Sequence, residues 1–171
     1  RKASVLMMKF IAHASGSAGN LYQVISDDRS LIIDPGIPIA KIKRALGFKL
    51  SAVSGALISH SHADHSKAVH SLAKFGLKCW MTKPTATALK FNGHCLGLIE
   101  PLKQFQIANF TIVAISTQHD CPGSVGFLIS DGIDKLLFAT DTFYIHNRFA
   151  GVNIIAIECN YSQTTLSRTL N

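Results

Sequence analysis

Six residues decide the interpretation of this chain: His60-Ser61-His62-Ala63-Asp64-His65, directly after the apolar segment Gly55–Ser59 (GALIS). Three imidazoles and a carboxylate so close together are costly to bury unless they bind something. Alternate residues of an extended chain point the same way, so His60 and His62 can hold one ion together. Asp64 and His65 fall where the chain turns into a helix and can face a second ion. This donor mixture suits Zn²⁺, Mn²⁺ or Fe better than Ca²⁺. The alternative is an exposed histidine-rich loop.

Two further candidates follow predicted strands, at the strand ends where open sheets usually place their sites. His119-Asp120 comes after Phe110–Ser116, and Asp141 comes after Lys135–Thr140. Taken singly, each is more typical of a surface residue. With the histidine-rich segment present they become ligand candidates, and the two oxygens of Asp141 can bridge two ions.

Together these residues resemble the metallo-β-lactamase superfamily. Its motifs occur here in the family's order, from about Met8 to Asn160. Four further segments resemble its bacterial and phage YycJ-like group of exonuclease-type nucleic-acid hydrolases: SGSAGN (Ser15–Asn20), IIDPG (Ile32–Gly36), the His119-Asp120 pair and IECN (Ile157–Asn160). The resemblance implies an α+β fold, an αβ/βα sandwich of two mixed sheets with outer helices, formed by residues 1–171 as one domain. Residues 1–7 are expected to be a tag or to lie outside the folded part.

The resemblance also assigns roles to the candidate residues. It implies that the first metal is held by His60, His62 and His119, the second by Asp64 and His65, and that Asp141 bridges the two. Asp34 matches an acidic residue that, in the family, lies behind the ligands and holds the loop that carries them. A ligating histidine usually needs such a partner for its other ring nitrogen. The alternative for Asp34 is a simple Asp-Pro-Gly turn.

Two adjacent divalent cations (Zn or Mn, with Fe a further option) would lower the pKa of a bridging water from about 15.7 toward 7 and supply hydroxide. That hydroxide would attack phosphorus in line while the metals neutralise the developing charge. The candidate catalytic carboxylates are Asp64, Asp120 and Asp141. Whether Asp64 or Asp120 orients the water stays open at this point.

The charge balance favours an anionic partner such as nucleic acid. Seventeen Lys and Arg stand against ten Asp and Glu, a net charge of +7. Half of the carboxylates, including Glu158, lie in the predicted site, which leaves the remaining surface more basic still. Lys41, Lys43 and Arg44 are candidate nucleic-acid contacts, with an ordinary solvated helix face as the alternative.

The remaining composition indicates a cytoplasmic protein without a membrane segment. No apolar run approaches the roughly 18–20 residues needed to cross a bilayer. The four cysteines (Cys79, Cys95, Cys121 and Cys159) form no CxxC pair and are typical of buried, reduced thiols. The oligomeric state stays open, with a homo-oligomer among the options.

Local patterns predict strands at 8–14, 21–25, 30–34, 55–59, 77–81, 110–116, 125–130, 135–140 and 152–158. They predict helices from Pro38 to Gly47, over Ser66–Phe75 and over Pro84–Lys90. A polar turn at Ser26–Arg29 indicates a hairpin.

The sequence departs from the family in two ways. The family has a final metal-binding histidine on a later strand, whereas this sequence stops at Asn171; Tyr161-Ser162 stands where the YycJ-like group has a His-Asp pair. We therefore expect the closing strands, a helix and the last ligand to come from beyond residue 171 or from a partner chain. Two other functions stay open: an ester, thioester or lactam hydrolase of the same fold, and an inert metal- or nucleic-acid-binding module.

Overall fold

The computed structural model describes residues 7–158. The predictions made for residues 1–6, Cys159, Asn160, Tyr161 and Ser162 lie outside this range. Within it the chain forms eleven strands and four short α-helices, with a turn of 3-10 helix at Leu50–Ala52. In chain order they are β1 (Lys9–Ala14), β2 (Leu21–Ser26), β3 (Arg29–Ile33), α1 (Ile39–Ala45), β4 (Val53–Leu57), α2 (Ala63–Ser66), α3 (Val69–Lys74), β5 (Cys79–Thr82), α4 (Lys83–Ala88), β6 (Leu96–Ile99), β7 (Gln104–Ile107), β8 (Phe110–Ser116), β9 (Val125–Ser130), β10 (Lys135–Ala139) and β11 (Ile154–Ile157).

The strands form two mixed sheets. The first has the order β1-β2-β3-β4-β5-β6, antiparallel from β1 to β3 and parallel from β3 to β6. The second has the order β11-β10-β9-β8-β7, with β11 parallel to β10 and the other pairs antiparallel. The predicted α+β fold of two mixed sheets is confirmed.

Strand β3 shows how the layers are built. Leu31 and Ile33 face the second sheet, while Ile32 between them faces the helices. Because both faces are covered, the strand is a continuous apolar run rather than an alternating one. The core between the sheets contains three fully buried phenylalanines, Phe110, Phe127 and Phe138, and the apolar residues of α1, α3 and α4 pack on the other side of the first sheet.

The helix predicted over Ser66–Phe75 is wrong in its extent, because two short helices occupy residues 63–74. The series of helical backbone hydrogen bonds is interrupted at Ala68, whose N–H donates to the carbonyl of Pro35 at 2.9 Å instead of continuing the helix. This contact joins the start of α3 to the loop after β3. Strands β6 and β7 were not predicted; Gly97 in β6 lies under the Trp80 ring, where any Cβ would overlap the indole.

Candidate metal centre

Four strands deliver the predicted site residues to one edge of the sandwich. Asp34 follows β3, the histidine-rich segment follows β4, His119 follows β8, and Asp141 follows β10. The N–H of Val125 donates to the carbonyl of Ser59 at 3.0 Å, which joins the end of β4 to the second sheet. Residues from both sheets therefore meet at this edge.

His60, His62 and His119 form the first donor group. One ring nitrogen of each lies within 4.8 Å of the others, and the His60 ring centroid is 4.8 Å from that of His62 and 4.6 Å from that of His119. His60 is 1% exposed, and its Nε2 is buried and has no hydrogen-bond partner among residues 7–158. A buried ring nitrogen aimed at two other imidazoles is costly unless an ion occupies the space between them.

The protonation of His60 suits a ligand. Burial, reinforced by the neighbouring His65, lowers its pKa to about 4, so the ring is neutral at neutral pH. Its Nδ1 lies 2.9 Å from the hydroxyl oxygen of Ser59. With Nδ1 engaged, the lone pair that remains available is that of Nε2.

A second donor group shares His60 with the first and adds His65 and Asp141. The Oδ2 atom of Asp141 is 2.9 Å from Nε2 of His65 and 3.7 Å from Nε2 of His60, so one carboxylate oxygen contacts His65 and lies near the ring that both groups share. Asp64 lies beside them, with Oδ2 3.4 Å from the same nitrogen of His65. Burial raises the pKa of the Asp141 carboxyl despite nearby His65.

Asp34 is fully buried behind these ligands. Its carboxylate accepts hydrogen bonds from the backbone N–H of Ser59 at 2.8 Å, the Ser59 hydroxyl at 2.8 Å and Nδ1 of His65 at 2.9 Å. Burial alone would lower the pKa of His65, but the hydrogen bond and charge of Asp34 outweigh it and the pKa is raised. A simple turn residue would make none of these side-chain contacts.

The predicted catalytic residue Asp120 lies at the exposed mouth of the cluster. Its side chain is 75% exposed, and Oδ1 is 3.2 Å from Nε2 of His119 and 3.7 Å from Nε2 of His62. The predicted nucleic-acid contacts are elsewhere, on α1 in the helical layer. There the Lys43 ammonium sits 3.5 Å from the centre of the Phe75 ring.

Sequence reasoning missed two residues that position the ligands. One is Ser59, which links Asp34 to His60. The other is Asn20, whose side-chain amide lies 3.0 Å from Nε2 of His65 and donates to the carbonyl of Asp64 at 3.2 Å. Asn20 closes the SGSAGN segment, so its motif was visible, whereas a serine before His60 carries no signal of its own.

Two predictions from composition can be compared with the described part of the chain. Cys79, Cys95 and Cys121 are free and buried, as predicted. None of the helices within residues 7–158 is long and apolar enough to cross a membrane.

Residues 29–166 match the family described as the beta-lactamase superfamily domain. The chain belongs to that superfamily. It is 29% identical over 172 residues to exodeoxyribonuclease YycJ of Bacillus anthracis, and 27% identical over 161 residues to exodeoxyribonuclease WalJ of Streptococcus pneumoniae serotype 2. These matches cover 90% and 87% of this chain, but only 63% and 60% of the relatives. The predicted resemblance is thereby confirmed.

The three-dimensional comparison agrees. The metallo-β-lactamase fold protein YhfI from Bacillus subtilis superposes with a TM-score of 0.63 at 20% identity, covering 78% of this chain and 61% of that one. A metallo-β-lactamase fold implies divalent metal binding, and the donors at this edge fit such a metal because His60 presents to them a buried nitrogen that has no partner in the described part of the chain.

Proposed function

We propose that this chain carries the metal centre of a hydrolase that cleaves phosphodiester bonds of nucleic acid. The observation that carries the proposal is the pair of adjacent donor groups that share His60, one completed by His62 and His119 and the other by His65 and Asp141. The relatives named exodeoxyribonucleases support the choice of substrate. The chain spans about 60% of their length, so the activity assigned here is that of the whole protein.

Each donor group would hold one divalent ion, Zn²⁺ or Mn²⁺ by donor type, with Fe a further option. His60, His62 and His119 would bind the first, and His65 and Asp141, with Asp64 beside them, the second. When bound, such ions activate water at neutral pH and neutralise charge on a phosphoryl group. Asp141 would bridge the two ions, a role supported by the approach of its Oδ2 to His65 and to His60, the ring that both groups share.

The chain's other residues hold these donors in place. Asp34 fixes the ring of His65 directly and that of His60 through the Ser59 hydroxyl, so both imidazoles present Nε2 to the centre. At the mouth, Asp120 would orient a water and accept its proton, a role supported by its exposure beside His119 and His62. Asp64, more enclosed, is the second carboxylate that could take this role, and exchanging each in turn separates them.

The distribution of charge supports a polyanionic substrate over a neutral lactam or thioester. From Pro35 to Ile99 the only carboxylate is Asp64, which belongs to the candidate site. The same stretch contains nine cationic residues: Lys41, Lys43, Arg44, Lys49, Lys67, Lys74, Lys78, Lys83 and Lys90. The α1 group of Lys41, Lys43 and Arg44, which belongs to this basic stretch, remains a proposed nucleic-acid contact, in a cytoplasmic protein.

The test is an assay on linear DNA of the whole protein that contains this chain, loaded with Zn²⁺ or Mn²⁺, with metal content measured per molecule. We expect two ions, release of nucleotides, and binding that weakens steeply as salt rises, because phosphate contacts release counterions. Turnover of a lactam or thioester without salt dependence would favour the small-molecule hydrolase instead. One ion or none, with no turnover of any substrate, would favour the inert binding module.

A further inference from the structure

A groove runs beside α4, next to the mouth of the metal centre. It has a volume of about 470 Å³ and is lined by Lys83, Pro84, Thr87, Ala88 and Pro122. Pro122 is two residues after Asp120, so their Cα atoms are at most about 7.6 Å apart. A second groove of about 300 Å³ continues from it: Lys83 and Thr87 line both, and Lys90 lines the second.

The wall between the groove and the metal centre is fixed by hydrogen bonds. The Thr82 hydroxyl donates to the carbonyl of Gly123 at 2.8 Å. Gly123 has a φ of +80°, and a Cβ there would come within 2.6 Å of the Thr82 hydroxyl oxygen and 2.8 Å of Pro84. On the other side, the Cys121 thiol lies 2.9 Å from the hydroxyl of Ser61, between the two ligands His60 and His62. The groove is therefore held in a set position relative to the ligands.

The lining combines apolar surface with positive charge. Proline rings and an alanine methyl provide flat apolar contacts, and Lys83 and Lys90 are exposed at the edges. No carboxylate occurs anywhere from His65 to Ile99, a stretch with five lysines. Each groove falls within or near the range of about 300–1,000 Å³ typical of small-molecule sites. An anion with apolar rings, rather than a purely polar one, fits these features.

Resting on the proposed function, we propose that the two grooves bind the nucleotides next to the one being cleaved. A single strand leaving the metal centre passes Pro122 and lies along α4. Its bases or sugars pack on Pro84, Ala88 and Pro122, and its phosphates pair with Lys83 and Lys90. Known single-strand sites combine a positively charged groove with aromatic side chains on which bases stack; in this groove the proline rings provide the apolar surface instead. The occupant is thus the uncleaved part of the substrate strand.

The test uses the double variant Lys83→Ala/Lys90→Ala and the matched single variant Lys74→Ala, an exposed lysine of α3 within the same carboxylate-free stretch. Binding of a fluorescein-labelled hexathymidylate is measured by anisotropy in chelator, across a salt series. We expect the double variant to bind about tenfold more weakly, with the salt slope reduced by about 1.4 for two lost phosphate contacts. Lys74→Ala should bind like the wild type.

The second readout is turnover by the metal-loaded whole protein that carries the same substitutions. For the oligonucleotide, the double variant should raise KM with little change in kcat, because the grooves lie outside the reacting centre. Hydrolysis of bis(p-nitrophenyl) phosphate, whose single phosphate does not reach α4, should be unaffected. Unchanged oligonucleotide binding in the double variant, an equal loss in Lys74→Ala, or equal competition by polyglutamate would overturn the proposal. If the wild type binds the oligonucleotide through these lysines but cleaves neither substrate, the proposed function fails and the groove stands.

Discussion

The carboxylate of Asp34 organises more of the site than any single ligand does. Directly, it holds Nδ1 of His65; through Ser59, it reaches Nδ1 of His60. Both rings are thereby fixed with Nε2 facing the centre. Ligand histidines that lose such a partner typically lose metal affinity or activity 10- to 100-fold.

We predict that Asp34→Asn lowers metal affinity by about 10- to 100-fold while the chain still folds, because the amide keeps the volume but cannot accept all three hydrogen bonds. Competition with a chromogenic chelator measures the affinity, and circular dichroism reports the fold. Asp131→Asn is the control, since Asp131 lies in the β9–β10 turn, where it accepts from the N–H groups of Ile133 and Asp134 and from the hydroxyl of Ser26 in β2. Wild-type affinity in Asp34→Asn would reduce Asp34 to a turn residue.

Asp141 allows a sharper experiment at the same scale. Asp141→Ala removes the only carboxylate oxygen that touches His60 and His65 together within the described residues, so bound metal should fall from two ions to at most one and hydrolysis should cease. Elemental analysis and the DNA assay measure these effects, with Asp131→Ala leaving both unchanged. Two retained ions and full activity would contradict a bridging role.

The sequence was most informative about residues that do chemistry. Imidazoles and carboxylates clustered at strand ends are uncommon, and this pattern alone predicts that His60, His62, His65 and Asp141 are neighbours. Ser59 and Asn20 escaped because serine and asparagine are common in turns, and only the folded backbone reveals which ring nitrogen each one meets.

At the scale of elements, the loops around Gly36 fix the backbone of the histidine-rich segment His60–His65. The N–H of Gly36 donates to the carbonyl of Asn20 at 2.8 Å, and the N–H of Asn20 donates to the carbonyl of Asp64 at 2.7 Å. A Cβ on Gly36 would overlap that Asp64 carbonyl. The loops after β1 and β3 therefore pack directly on the backbone of the metal loop, the segment His60–His65.

We predict that Gly36→Ala destabilises the chain by about 3 kcal/mol or more and weakens metal binding, because two backbones must separate. Gly76→Ala is the matched control: its Cβ meets open space, and its φ of +77° costs only about 1 kcal/mol. Denaturant unfolding compares the two variants. Equal losses of stability, with metal affinity intact in both, would show that the close packing at Gly36 is unimportant.

Elements with a clear pattern of apolar residues were predicted well, and those whose ends are set by tertiary contacts were not. Phe110–Ser116 and Val125–Ser130 match β8 and β9 at both ends. The division between α2 and α3 was invisible, since a hydrogen bond from Ala68 to Pro35 across the fold breaks an otherwise regular helical pattern. Strand β6 contains Gly97, which local propensity counts against a strand.

For the whole molecule, the site joins two sheets, so its occupancy should stabilise the fold as a unit. A metal at 100 times its dissociation constant adds about 2.7 kcal/mol of stability. For a chain of this size that corresponds to a rise in Tm of about 5–11 °C. Thermal unfolding with Zn²⁺ or Mn²⁺, then with excess chelator, measures the rise and its reversal.

Asp141→Ala is expected to show a smaller rise in the same measurement, because one of the two donor groups is incomplete. If added metal leaves the Tm of the wild-type chain unchanged, the histidine cluster binds no ion. An equal rise in both proteins would place binding outside the group that contains Asp141.

The backbone of the metal loop has a consequence for how such a chain can change. The carbonyl of Asp64 accepts from the N–H of Asn20, and the carbonyl of Pro35 accepts from the N–H of Ala68, so the path of this loop is held by main-chain atoms that every residue except proline can supply. Side chains at the exposed mouth, such as Asp120, can then be exchanged without moving the ligand positions. New substrates become accessible through substitutions at the rim, while the frame that holds the metal is inherited unchanged.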